Sequence, residues 1–93
     1  MQSARAHLIV KGRVQGVFYR AFTRDIATHI GLSGWVRNLS DGSVEALLEG
    51  QKDGIERAIA HFRLGPPGAR VDDVNVRWEE YLGDLKGFQI RYY

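Results

Sequence analysis

GLSGWVRNLSDGSVEALLEG, residues 31–50, decides how the rest of the chain is read. Leu32 to Asn38 reads as one strand and Ser43 to Gly50 as the next, with Asp41 and Gly42 marking the turn in Leu39 to Gly42. Aspartate and glycine tolerate the positive φ that a tight turn needs, so this order predicts a hairpin. Gly31 stands where a helix would stop. Upstream of it, Phe22, Ile26 and Ile30 recur every four residues with Ala27 beside them, which predicts a helix over Tyr19 to Ile30 with one buried face.

Working outward, His7 to Val14 (HLIVKGRV) reads as a first strand, and Gln15-Gly16 breaks its pattern. Beyond the hairpin, Ile55, Ala58, Ile59 and Phe62 have the i, i+3, i+4, i+7 spacing of a second amphipathic helix. It ends before Gly65, Pro66, Pro67 and Gly68, a stretch fit only for a loop. Val74, Val76 and Trp78 alternate in a fourth strand, and Gly87 to Tyr93 repeats the alternation in a short last one. The order is strand, helix, strand, strand, helix, strand, with a fifth strand at the end. The simplest packing puts both helices on one face of an antiparallel sheet. The expected fold is therefore α+β, a ferredoxin-like βαββαβ sandwich, with residues 1–93 as a single domain. Fold alone does not name a function.

Composition narrows the classes. The chain has 93 residues, enough for one core, and its 44% hydrophobic and 26% charged content is that of an ordinary globular protein. No apolar run approaches the ~20 residues of a membrane span. The start, MQSARAH, lacks an apolar signal core, so the expected setting is cytoplasmic with no membrane partner. Absence of cysteine removes disulfides, thiolate metal sites and thiol nucleophiles together. A formal charge of +2 does not call for a polyanion. His7, His29 and His61 have no paired ligand spacing, so no metal is expected. Asp72 and Asp73 are adjacent in an extended stretch and point to opposite faces, which does not make a convergent acid pair.

The strand-to-helix junction QGVFYR, residues 15–20, carries the most chemistry. Backbone N–H groups entering a helix can converge on an anion, and Gly16 supplies the freedom such a turn needs. Arg20 falls in the first helical turn, where the helix dipole disfavours a cation unless an anion is bound beside it. Its planar fork matches two phosphate oxygens. The plainer reading is a solvated arginine on a helix whose start is misplaced. Asn38 ends the second strand before the turn. It serves either the backbone there, as asparagine usually does, or a water held near the first loop. Basic and aromatic residues at Arg5, Lys11, Arg13, Phe18 and Tyr19 suit nucleic acid in principle, but the order does not fit an RNA-binding sheet motif. Core packing explains Phe18, Phe22, Trp35 and Phe88 equally well.

Taken together, VQGVFYR, Thr23 and Ala27 on the helix, GLSGWVRN and DGSVE resemble the signature region of the acylphosphatase family. GP…ARVDDV and FQIRYY are similar to the family pattern as well, so the resemblance spans essentially the whole chain. It implies the same sandwich fold and hydrolysis of the carboxyl–phosphate bond of acyl phosphates, with no metal and no cofactor. It places the essential arginine on Arg20 and the essential asparagine, which positions the attacking water, on Asn38. The phosphate-binding loop falls on the backbone amides of Gln15, Gly16, Val17, Phe18 and Tyr19. Many members carry a threonine after the asparagine, where this chain has Leu39. The partners implied are a small acyl phosphate and inorganic phosphate, with the chain as a monomer and no nucleic acid. The alternative is a phosphate- or carbamoyl-phosphate-binding module of the same fold, precedented at the front of a larger maturation protein. Against it, the sequence stops at Tyr93 with no further domain.

Overall fold

A computed structural model of the chain describes residues 2–92 and contains the expected hairpin. Strands β2 (Ser33–Asn38) and β3 (Val44–Gln51) pair antiparallel, from Ser33 opposite Glu49 to Asn38 opposite Val44. The turn is closed by Leu39 N–H donating to the Ser43 carbonyl at 2.9 Å and Gly42 N–H to the Leu39 carbonyl at 3.2 Å. Asp41 stiffens it by accepting from the Ser43 N–H at 2.9 Å and from the Ser43 hydroxyl. Glycine is required at 34, because a Cβ there would stand 1.8 Å from the Leu47 carbonyl oxygen.

Strand β1 (Ser3–Arg13) lies beside β3 and β4 (Arg70–Glu79), antiparallel to both, and β5 (Phe88–Arg91) joins the far edge. The sheet order is β4-β1-β3-β2-β5. Four strands run antiparallel as expected. The fifth does not: β5 is parallel to β2, so the sheet is mixed. The reason is reach. Residues 80–87 must carry the chain from one edge strand to the other. Crossing four strand spacings of about 4.8 Å uses most of the roughly 28 Å that eight residues can span. The last strand must therefore start at the end where β4 stops, which is also where β2 starts. The final strand was expected to reach Tyr93, which lies outside the described residues.

The linker is tied down by one carboxylate. Glu49, only 3% exposed, accepts from the N–H groups of Leu82 at 2.9 Å and Gly83 at 3.2 Å. It also accepts from Arg5 Nη1 at 3.0 Å.

Both helices cover the face on which Ala6, Leu8, Val10, Val36, Ala46 and Leu48 are buried. In α2 (Lys52–Leu64) the four residues picked out by spacing are all buried. In α1 (Tyr19–Ile30) the deepest stripe is Tyr19, Thr23 and Ala27, while Phe22, Ile26 and Ile30 pack partly buried beside it. The sequence pattern missed this because two of the three carry hydroxyls. Both are satisfied internally: Thr23 Oγ1 donates to the Tyr19 carbonyl at 2.9 Å, and the Tyr19 hydroxyl to the Phe62 carbonyl at 2.7 Å. Phe18, a candidate for the core, is instead 85% exposed. Trp35 alternates out of the helix-covered face, where the guanidinium carbons of Arg37 and Arg91 lie 5.5 and 4.7 Å from its ring centroid. Among the described residues, no helix is long and apolar enough to cross a membrane.

Candidate active site

Residues 14–18 leave β1 and enter α1 through two left-handed backbone positions, Gly16 at φ 73° and Phe18 at φ 60°. Phe18 is the one non-glycine residue with positive φ among those described. A bulky side chain rarely adopts that region, and such strain concentrates at functional sites. Left-handed residues alternating in this way can turn successive N–H groups toward one point. The helix that follows has no side-chain N-cap and no acid in its first turn. Its first N–H groups thus have no side-chain acceptor, the condition under which a helix start takes an external anion.

Arg20 is the second residue of α1, as the spacing predicted. Its guanidinium carbon lies 4.6 Å from the centroid of the Tyr92 ring, and Nη1 donates to the Arg91 carbonyl at 3.5 Å. Both contacts hold the side chain across the end of α1 toward β5. Between them opens a cleft of about 280 Å³ lined by Gly16, Phe18, Tyr19, Arg20, Ala21, Asn38, Ile90 and Tyr92.

Asn38 therefore does reach the first loop, although β3 separates β2 from β1. Of the residues predicted for the site, Gly16, Phe18, Tyr19, Arg20 and Asn38 line one cleft. Val17 packs against the core beside it. The Tyr19 side chain turns inward, and burial pushes its phenol well above its usual pKa. Gln15 is not among the residues lining the cleft, and its side chain donates from Nε2 to the carbonyls of Leu39 at 2.7 Å and Ser43 at 2.8 Å.

Ile90 and Tyr92 were not anticipated, because nothing local in a terminal strand reveals that it lies beside a helix start. Among the described residues, no three His, Cys, Asp or Glu side chains gather in a group able to hold a metal ion. His7 is on the helix-free face, with Nε2 2.7 Å from a Glu45 oxygen, and His29 and His61 are exposed on their helices.

The fold is a ferredoxin-like α+β sandwich, and the cleft at its first strand-to-helix junction carries one cation, Arg20, beside a helix start with no side-chain cap. Comparison with known proteins is more specific. The acylphosphatase family model matches residues 6–90. The acylphosphatase of Pyrobaculum arsenaticum is 56% identical over 91 residues, covering 97% of this chain and 96% of that protein. The crystal structure of acylphosphatase from Bacillus subtilis matches with a TM-score of 0.93 at 36% identity, over 96% of this chain and 99% of that one. Full-length HypF, in its phosphate- and nucleotide-bound form, matches at TM-score 0.83 and 29% identity over 97% of this chain but 12% of its own. The chain belongs to the acylphosphatase family. The full-length relatives carry the enzyme's name, and the non-catalytic module is not the favoured reading.

Proposed function

We propose that this chain is an acylphosphatase that hydrolyses the carboxyl–phosphate bond of small acyl phosphates to a carboxylate and inorganic phosphate. The observation that carries the mechanism is that Arg20, at an uncapped helix start, and Asn38, at the end of β2, line the same cleft. The loop amides of residues 15–19 and the Arg20 fork hold the phosphoryl oxygens. The Asn38 side-chain carbonyl accepts a hydrogen bond from a water and aims its oxygen at phosphorus, in line with the leaving group.

A new phosphorus–oxygen bond forms to that water as the bond to the acyl oxygen breaks. The water's proton passes to a phosphate oxygen of the substrate, since an amide cannot take it. The carboxylate, the base of a weak acid with a pKa of about 4, departs without a general acid. The work is positioning and stabilisation of charge on the transferring group. This chemistry has no step for a metal or cofactor. We read the chain as a cytoplasmic monomer acting on a small molecule, which its modest charge suits.

The test is hydrolysis of benzoyl phosphate in the presence of a chelator, by the parent, Arg20→Ala and Asn38→Ala. The parent should be fast, and each variant should lose about 10²–10³-fold in kcat/KM, as when one oriented stabilising group is removed. Asn38→Ala should still bind inorganic phosphate, while Arg20→Ala should bind it weakly. Chelator-sensitive activity, or a parent that binds phosphate without turnover, would overturn the reading.

A further inference from the structure

The Gln15 side chain has a geometry that its place in a phosphate loop does not require. Both hydrogens of its amide nitrogen are spent on main-chain carbonyls of the β2–β3 turn, Leu39 at 2.7 Å and Ser43 at 2.8 Å. The orientation is fixed by chemistry, because the amide oxygen facing two carbonyls would be repelled by both. Leu39 directly follows Asn38 in the chain, and Ser43 is joined to Leu39 across the turn by the 2.9 Å backbone bond. The turn is braced internally by Asp41, so a contact to its two carbonyls positions the whole unit.

The strand that leads into the loop, β1, and the strand that ends at Asn38, β2, are separated by β3. The sheet ladder links them only indirectly, through β3, where Val44 stands opposite both Val10 and Asn38. The phosphate loop and Asn38 hang from non-adjacent strands, and Gln15 spans the gap directly. We propose that Gln15 is a positioning residue that fixes the register between the phosphate-holding loop and the asparagine that aims the water. This rests on the role given to Asn38 above. Gln15 would act through Asn38 and not on the substrate: it sets where the water stands relative to a phosphoryl group already held by Arg20 and the loop amides. Displacement of a positioning group by about 1 Å is enough to cost on the order of 100-fold in rate.

The experiment is a double-mutant cycle on kcat for benzoyl phosphate hydrolysis, with inorganic phosphate affinity measured alongside. Gln15→Met keeps the length and removes both donors. It should lower kcat by about 10- to 100-fold while phosphate binding changes by less than about threefold. In the Asn38→Ala background the same substitution should change kcat by less than about threefold, since there is nothing left to position.

Equal loss in both backgrounds would overturn the clamp while leaving Asn38 in place. So would a parallel loss of phosphate affinity, which would make Gln15 a builder of the loop alone. An Asn38→Ala enzyme as fast as the parent would instead overturn the role of Asn38, and the clamp with it. Should Gln15→Met not fold, Gln15→Glu decides. Its carboxyl offers one donor only when protonated, so its kcat relative to the parent should rise as pH is lowered from 7 to about 4.5. A flat ratio would refute the proposal.

Discussion

Replacing Tyr19 with phenylalanine removes a single hydroxyl from a buried contact between the two helices. The Tyr19 hydroxyl donates to the Phe62 carbonyl at 2.7 Å, and the two residues are 2% and 1% exposed. Phe62 is in the last turn of α2, so its carbonyl would look to residue 66 for a partner. Residue 66 is proline, which has no N–H. Gly65 N–H is already given to His61 at 3.0 Å. Tyr19→Phe thus leaves a buried carbonyl without its donor while changing packing very little.

A buried acceptor left unsatisfied costs about 1–3 kcal/mol, so a loss near 2 kcal/mol is expected. For a domain of this size that is about 8–16 °C in Tm. Urea unfolding at pH 7 should show the midpoint falling with the slope unchanged. The same phenol gives an independent pH signature. Its folded pKa is raised by burial, so the stability it contributes is complete below its unfolded value of about 10 and is lost as pH rises toward the folded value. Tyr19→Phe should therefore be less stable than the parent at pH 7 and should decline less steeply above pH 10. A loss below about 0.5 kcal/mol at pH 7, with an unchanged alkaline limb, would refute the reasoning.

Two further outcomes test other parts of the structure. Burial works against the ionised Glu45 carboxyl, but hydrogen bonds from His7 and Arg37 outweigh it and hold its pKa below the usual carboxylate range. Its contribution is therefore present above the unfolded value of about 4.3 and lost as pH falls through the folded one. Acid unfolding of Glu45→Gln should begin from lower stability at pH 7 and be shallower than the parent's below about pH 4.5. Glu49→Ala strips Arg5 of a buried partner and frees the Leu82 and Gly83 N–H groups, so denaturant titration should show a loss of about 3 kcal/mol. It should also weaken phosphate binding, because β5 brings Tyr92 to Arg20.

Much of this protein is determined locally. The turn at Asp41–Gly42 is set locally because Gly42 takes a positive φ of 93° and Asp41 accepts hydrogen bonds from Ser43 two residues on. The spacing of Ile55, Ala58, Ile59 and Phe62 fixes a helix face because no other period puts them together. Gly16 and Arg20 are legible in the sequence as a candidate anion site, because a glycine and a cation at a helix start are both explained by a bound charge. Through resemblance to a family, the sequence also points to Asn38.

Other features have no local signal. Tyr19 and Thr23 enter the core although polar, because their hydroxyl partners are supplied by the Phe62 and Tyr19 carbonyls. The parallel direction of β5, and with it the placing of Tyr92 over Arg20, follows from the reach of residues 80–87 and their grip on Glu49. The bond from Gln15 to the carbonyls of Leu39 and Ser43 joins residues 24 and 28 positions apart. Contacts at such separations depend on which strands become neighbours, and that is settled only when the whole sheet closes over one buried face.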